Sequence, residues 1–196
     1  MNDRERELLT IPADLPVPVD DGACDHLRGM RLPDVALEST HGRRVNLSRE
    51  PNRLLVIYAY PRTGRPDQPI SQGWDAIPGA RGCTPQNCAY RARSAAFQSL
   101  GAAVYGLSTQ TPEYQREMAQ RLDLPYEVLS DEALHLTRAL RLPTVEFGGE
   151  TLIKRLSMVV RDGVIEHVVY PVFPSDADAP KILEWLHGPG NIGAGA

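Results

Sequence analysis

Long apolar runs and alternating patterns mark the predicted strands of the chain. Residues 53–60 form an almost unbroken apolar run with β-branched and aromatic side chains, which is typical of a buried central strand. Shorter strands are predicted at residues 103–108, 126–129 and 157–160, and a tight turn at 161–163 predicts that residues 164–170 pair back. Earlier in the chain, residues 32–37 and 43–48 predict a hairpin.

Helical periodicity and capping residues predict helices between these strands. From residue 84 to residue 100, alanine and leucine recur at helical spacing, and Gly101 ends the helix. Thr111 followed by Pro112 predicts a capped helix over residues 111–122. Further helices are predicted at residues 4–10, 131–140 and 179–187. The order of elements predicts an α/β domain with a mixed central β-sheet flanked by helices, as in thioredoxin-like folds.

Composition shifts divide the chain into an arm, one domain and a tail. Residues 1–26 are rich in proline and acidic residues and are predicted to form an N-terminal arm. Residues 27–188 form the domain, and the glycine-rich residues 189–196 are expected to be a flexible tail. Within the domain, residues 62–81 contain three prolines and predict a long loop. A loop of this length inside a compact domain is usually functional or mobile.

Charge and cysteine content exclude several classes of function. The 196 residues carry a formal net charge of −4, without a basic region for nucleic acid. No apolar run reaches the length of a membrane span, and the first residues lack the pattern of a signal peptide, so a cytoplasmic location is expected. Three cysteines are too few for a secreted disulfide framework. A close cysteine pair in a reducing compartment is more often catalytic than structural.

Two cysteines, Cys83 and Cys88, lie in one short segment that opens the helix predicted at residues 84–100. A helix N-terminus favours an anion, so this position favours the thiolate form of Cys83. In an intact helix, Cα atoms five residues apart are separated by roughly 8–9 Å. A disulfide needs less than about 7 Å. The spacing therefore predicts a redox site whose first helical turns unwind when the disulfide forms.

The segment Gly82-Cys83-Thr84 with Cys88 resembles the active site of peroxiredoxins, most closely the peroxiredoxin Q (bacterioferritin-comigratory) branch. The opening hairpin, the strand at residues 56–61 and the later strand ends are similar to the family in the same order, so the resemblance covers roughly residues 27–188. It implies a thioredoxin-like fold with an N-terminal hairpin. It also implies an activity, the thiol-dependent reduction of hydrogen peroxide or organic hydroperoxides.

The resemblance also implies roles for particular residues. Cys83 is expected to attack the peroxide, Cys88 to resolve the intermediate as an intramolecular disulfide, and Arg155 to hold the peroxide oxygens. The expected substrate-binding residues are Thr84, Pro61 and Thr63. The expected partners are a hydroperoxide and thioredoxin or a similar dithiol reductant, with no nucleic acid, no membrane, no metal and no organic cofactor, in a monomer or homodimer.

The sequence departs from the family just before the reactive cysteine. The family usually has a proline seven residues and a threonine three residues before it, and here these positions are Ala76 and Ala80. Thr63, Ser71 or backbone N–H groups are the candidates for replacing the missing hydroxyl. Residues 62–81 resemble an insertion, and we expect them to form one wall of the peroxide pocket or a subunit contact. The apolar contact of that wall is expected to come from Trp74 or Ile77.

Other interpretations of these residues stay open at this stage. The protein could be a redox sensor or thiol-disulfide protein with weak or no peroxidase activity. A dithiol oxidoreductase is less well supported, because its cysteines usually have two residues between them. Cys83 and Cys88 could be buried core cysteines, Arg155 could form a surface ion pair with Glu150, and Cys24 is expected to be incidental.

Overall fold

The computed structural model describes residues 3–188. Its strands are β1 (Ala36–Ser39), β2 (Arg44–Asn46), β3 (Leu54–Ala59), β4 (Ala102–Ser108), β5 (Val128–Ser130), β6 (Thr144–Phe147), β7 (Glu150–Ile153), β8 (Leu156–Arg161) and β9 (Val164–Val169). Its helices are α1 (Asp3–Leu9), α2 (Cys83–Arg91), α3 (Ser94–Ser99), α4 (Pro112–Arg121), α5 (His135–Leu140) and α6 (Asp178–His187). Seven strands form one sheet in the order β2-β1-β5-β4-β3-β8-β9, and β6 pairs with β7 separately.

The burial of the central strand β3 shows that the sheet is covered on both faces. All six of its residues are buried, and it pairs in parallel with β4 and antiparallel with β8. Because side chains alternate along a strand, Leu55 and Ile57 enter one core whereas Val56 and Tyr58 enter the other. Helices α2, α4 and α6 cover the second of these cores, and α5 contributes to the first. The predicted α/β fold with a mixed central sheet is confirmed.

The end of β3 determines where the candidate chemistry lies. The chain leaves β3 through Tyr60 and Pro61, follows the long loop predicted at residues 62–81 and enters α2 at Cys83. A single 3-10 turn, Trp74–Ala76, interrupts this loop. Both ends of the loop therefore lie at the same edge of the sheet. Within residues 3–188 the longest helices have ten residues, and no helix is long and apolar enough to cross a membrane.

The single helix predicted at residues 84–100 is wrong in detail, because the structure contains two helices there. Tyr90 of α2 stacks on Phe97 of α3 with ring centroids 5.6 Å apart. Seven residues along a straight helix rise about 10.5 Å. The break between Arg91 and Ser94 therefore lets Phe97 fold back onto Tyr90 and join the same core.

The sequence prediction missed the hairpin β6–β7. Its turn is Gly148-Gly149, and both glycines have positive φ, at 61° and 81°. The hairpin contacts the long loop, since Phe147 packs edge-on against Trp74 with centroids 5.0 Å apart. Trp74 thus belongs to a small core of its own with Leu152 and Ala80.

The remaining sequence predictions, for residues 4–10, 131–140 and 189–196, differ in how they compare with the structure. The predicted helix at residues 4–10 is observed as α1, which packs on the start of α2. The helix predicted at residues 131–140 begins only at His135, after a turn in which Asp131 accepts hydrogen bonds from the N–H groups of Leu136 and Thr137. The tail predicted at residues 189–196 lies outside the described residues.

Candidate active site

Cys83 is the first residue of α2, and the turn before it depends on glycine. Gly82 caps the helix with φ of 100°, a conformation that favours glycine. A Cβ atom at Gly82 would also lie 2.2 Å from the hydroxyl of Ser175. The Cys83 side chain is 4% exposed, and its thiol donates to the Ala80 carbonyl at 3.4 Å. The sequence prediction that Cys83 begins a helix is confirmed.

Arg155 lies in the turn between β7 and β8 and points its guanidinium at Cys83. Nη2 is 3.1 Å from the Cys83 sulfur and also donates to the Ala80 carbonyl at 3.0 Å. Nε donates to the Gly79 carbonyl at 3.2 Å. The alternative of a surface ion pair with Glu150 is wrong, because Arg155 is 3% exposed and Glu150 pairs with Arg62. A buried cation at this distance stabilises a thiolate.

A second layer of buried polar residues holds Arg155. Its Nη1 donates to Oε1 of Gln86, and Nε2 of Gln86 donates to Oδ2 of Asp178 at 2.7 Å. The same carboxylate oxygen accepts from Ser157 at 2.6 Å and Tyr90 at 3.1 Å. Burial raises the pKa of Asp178, and its three hydrogen bonds oppose that shift. The sequence prediction missed Gln86 and Asp178, since nothing in their local pattern distinguishes them from exposed helical residues.

A cavity of about 270 Å³ opens over Cys83. Its walls come from the long loop, from α1, from the start of α2 and from the residues that follow β4. The lining includes Leu8, Arg62, Thr63, Gly64, Arg65, Ile70, Ser71, Trp74, Thr84, Gln110 and Tyr114. The expectation that residues 62–81 line the pocket, with Trp74 as an apolar contact, agrees with this position. Ile77 lies instead in a neighbouring apolar cavity of about 330 Å³, together with Arg155.

The three predicted substrate-binding residues separate into two groups. Thr84 and Thr63 are buried and line the cavity over Cys83. Pro61 lies in the neighbouring cavity, and its carbonyl accepts a hydrogen bond from Ser108 at 3.1 Å. The peroxide contact expected of Pro61 therefore has no support from the cavity over Cys83 and stays a prediction.

The hydroxyl that Ala80 lacks has no direct replacement in hydrogen-bond contact with Cys83 among the described residues. The Thr63 hydroxyl donates to Gln110 at 3.2 Å, and the Ser71 hydroxyl accepts from Arg62 at 2.6 Å, although both line the cavity. Tyr60 was expected only as a strand residue. Its hydroxyl is buried without a hydrogen-bond partner within residues 3–188, and burial followed by the nearby Cys83 charge raises its pKa.

The other two cysteines differ in their surroundings. Cys88 is half-buried further along α2, and both it and Cys83 are free thiols. Burial raises the pKa of Cys88, while Arg91 and Arg121 oppose the shift. Cys24 is buried in the core, where desolvation and neighbouring acidic residues raise its pKa to about 12. A thiol in that environment stays protonated, which fits the incidental role expected for Cys24.

Comparison with known proteins agrees with this arrangement. A family model described as Redoxin matches residues 27–184. The chloroplastic peroxiredoxin Q of Gentiana triflora is 28% identical over 91% of this chain and 77% of its own length. The chloroplastic peroxiredoxin Q of Oryza sativa subsp. japonica is 30% identical over 81% of this chain and 66% of its own. The predicted resemblance to the peroxiredoxin Q branch is confirmed.

Solved structures share the fold. Peroxidoxin BcpB from Mycobacterium tuberculosis has a TM-score of 0.67 with 24% identity, covering 81% of this chain and 95% of that one. The bacterioferritin comigratory protein of Xanthomonas campestris, for which alkyl peroxide reduction activity is described, has a TM-score of 0.63 with 19% identity. The match covers 88% of this chain and 97% of that one. At these identities the likeness confirms the thioredoxin-like fold.

Proposed function

The chain belongs to the Redoxin family, and from this premise we propose that it is a thiol-dependent peroxidase in which Cys83 attacks the peroxide. One observation carries the assignment of the residue: the 3.1 Å contact between the Arg155 guanidinium and the sulfur of Cys83, a residue that lines the cavity. The contact joins a nucleophile to a fixed cation 72 residues away in the chain. This pairing favours the ionised sulfur that the reaction needs.

In the first step the Cys83 thiolate attacks the nearer oxygen of the peroxide. The S–O bond forms as the O–O bond breaks, so Cys83 becomes a sulfenic acid and the leaving oxygen departs as water or an alcohol after taking a proton. Negative charge develops on that leaving oxygen. In the proposed reaction this charge is stabilised by the N–H groups at the start of α2 and by Arg155, whose guanidinium contacts the attacking sulfur.

In the second step Cys88 resolves the sulfenic acid. Its sulfur forms the disulfide with Cys83, and the sulfenic oxygen leaves as water. Both cysteines lie in α2, five residues apart, so the first turns must unwind before the two sulfurs meet. A dithiol such as thioredoxin then supplies two electrons and two protons by thiol-disulfide exchange and restores both thiols.

A coupled assay tests the proposal directly. Hydrogen peroxide consumption is measured with thioredoxin, its reductase and NADPH for the wild-type protein and for Cys83→Ser. We expect Cys83→Ser to lose at least about 99% of the rate, because a serine hydroxyl is not ionised near neutral pH. Cys24→Ala is the matched control and should keep the wild-type rate. Equal rates for Cys83→Ser and wild type would overturn the assignment.

The same assay separates the peroxidase from the redox-sensor alternative. Ala80 in place of the family's threonine and the insertion at residues 62–81 are the features that favour the alternative. A sensor would be oxidised once at Cys83 and would not turn over with thioredoxin. A peroxidase would consume many equivalents of peroxide per protein molecule.

A further inference from the structure

Asp178 is a buried carboxylate that the peroxidase steps do not use. It begins α6, is fully buried, and lies two hydrogen bonds away from the guanidinium that contacts Cys83. We propose that Asp178 is a positioning residue: through the amide of Gln86 it holds Arg155 against the Cys83 sulfur. The inference rests on the proposed peroxidase function and adds a residue to its machinery.

The first argument is the polarity of the Gln86 side chain. An amide accepts at its oxygen and donates at its nitrogen, and Arg155 can only donate. Gln86 therefore serves Arg155 only if its oxygen faces the guanidinium and its nitrogen faces an acceptor. An ionised Asp178 has no proton to donate, so it accepts the Gln86 N–H at 2.7 Å and fixes the amide in this orientation.

The second argument is that Gln86 has no freedom to orient itself otherwise. It is fully buried within α2, and its two ends contact Asp178 and Arg155. An amide turned by half a rotation would direct N–H groups at a guanidinium and its oxygen at a carboxylate. Both contacts would then be repulsive in a buried site, where electrostatic interactions are strong.

The third argument is the hydrogen bonding of Asp178 itself. Ser157 and Tyr90 donate to the same oxygen, Oδ2, that accepts from Gln86. The second oxygen, Oδ1, is buried without a hydrogen-bond partner among residues 3–188. Three donors, two from α2 and one from β8, therefore converge on one carboxylate oxygen. The arrangement favours a role for Oδ2 in organising the donors around it.

An exchange of polarity tests this inference. In Asp178→Asn the carboxylate becomes an amide that can present either its oxygen or its N–H groups to Gln86, so it no longer enforces the Gln86 orientation that serves Arg155. We expect kcat/KM for hydrogen peroxide to fall at least about tenfold. In Gln86→Glu two carboxylates face each other, and we expect a comparable loss. Combining Asp178→Asn with Gln86→Glu restores the order of donors and acceptors: the new amide at position 178 donates to the new carboxylate at position 86, which accepts from Arg155.

The double variant should recover kcat/KM to within about threefold of wild type, a result that a merely structural role of Asp178 does not predict. A second readout is the rate at which iodoacetamide alkylates Cys83 in the reduced protein, which follows the thiolate without any turnover. It should fall in both single variants and recover in the double variant. Asp131→Asn is the matched control, since Asp131 is also buried and accepts three hydrogen bonds. Their donors are the N–H of Leu136 and the N–H and hydroxyl of Thr137. It should lower thermal stability and leave both rates unchanged.

Several outcomes would overturn the inference. A folded Asp178→Asn with wild-type rates contradicts it, and so does a double variant that is no faster than the slower single variant. If Asp178→Asn fails to fold, the comparison of Gln86→Glu with the double variant still decides the question. If the wild-type protein consumes no peroxide, the proposed function fails, whereas the alkylation rates still test whether Asp178 acts on Cys83.

Discussion

At the scale of the residue, Arg155 combines two roles that a simple point charge could not fill. Nη2 of its guanidinium contacts the Cys83 sulfur and also lies within hydrogen-bond distance of the Ala80 and Arg81 carbonyls, and Nε donates to the Gly79 carbonyl. These carbonyls belong to the end of the long loop immediately before Cys83. The same cation that contacts the Cys83 sulfur therefore also fixes the backbone that presents this sulfur. Only a planar group with several donors can do both.

Replacement of Arg155 by lysine and by methionine separates these roles. Arg155→Met removes both the charge and the planar set of N–H donors, which we call the fork. We expect kcat/KM for hydrogen peroxide to fall at least about 100-fold. Arg155→Lys retains the charge, so the alkylation of Cys83 by iodoacetamide should fall less than in Arg155→Met, while kcat/KM stays at least about tenfold below wild type. Stopped-flow oxidation and alkylation rates measure the two effects.

Arg43→Met is the control for the loss of a paired arginine, since Arg43 binds Glu127 far from the cavity over Cys83. It should leave both rates unchanged. If Arg155→Lys matched wild type in both rates, the fork geometry would have no role.

The sequence could indicate the candidate reacting residues but not the residues that hold them in place. Cys83 begins a helix and has a second cysteine nearby, both of which are local features. Arg155 was assigned from the family resemblance alone, because 72 residues separate it from Cys83. Asp178 follows Pro174 and Asp176 closely in the sequence, a pattern typical of an exposed helix start. Its burial arises from the packing of α6 on α2, which no local pattern encodes.

At the scale of the element, helix α1 of the N-terminal arm forms part of the cavity over Cys83. Leu8 lines the cavity and packs so closely on Gly64 that a Cβ there would lie 2.6 Å from its methyl group. Arg81 ties the helix to the loop, since its Nη2 donates to the Glu7 carbonyl at 2.7 Å. The arm that the sequence separated from the domain thus contributes a wall to the site.

This contact predicts an effect of Leu8 on substrate size. Leu8→Ala widens the cavity beside Cys83, so we expect the ratio of kcat/KM for cumene hydroperoxide to that for hydrogen peroxide to rise about fivefold. Leu9→Ala is the matched control, because Leu9 is the next residue of α1 and is 41% exposed. It should leave the ratio unchanged. An unaltered ratio in Leu8→Ala would mean that α1 does not limit access.

There are physical reasons why the sequence patterns did not predict some of the elements. The hairpin β6–β7 consists of two strands of only four residues each: polar and apolar residues alternate along β6 but not along β7, so the pattern is short and the Gly148-Gly149 turn is its main sequence signal. The break between α2 and α3 has no proline or glycine to mark it. It accompanies the stacking of Phe97 on Tyr90, a contact that no local pattern indicates. By contrast, β3 is predictable because burial on both faces leaves a continuous apolar run.

At the level of the whole molecule, the central sheet is a buried frame, whereas the site lies at its edge and is expected to open locally. The strands β3, β4 and β8 form a buried frame, whereas α2 begins at the edge of that frame and contacts α1, the long loop and α6. The disulfide requires the first turns of α2 to unwind. Proteins open locally in contiguous cooperative units at a lower free energy than global unfolding. Oxidation should therefore change one edge of the molecule and leave the sheet intact.

Hydrogen exchange with and without one equivalent of peroxide tests this separation. In the disulfide form, amides of α2, α1 and residues 62–81 should exchange at least about tenfold faster, whereas amides of β3 and β4 should be unchanged. Cys88→Ser is the control: its Cys83 should stop at the sulfenic acid with one equivalent, so α2 should keep its protection. Peptide mass mapping identifies the bond. Unchanged protection of α2 in a Cys83–Cys88 disulfide, or a bond from Cys83 to Cys24, would contradict the unwinding mechanism, because either result lets the redox step proceed without opening this helix.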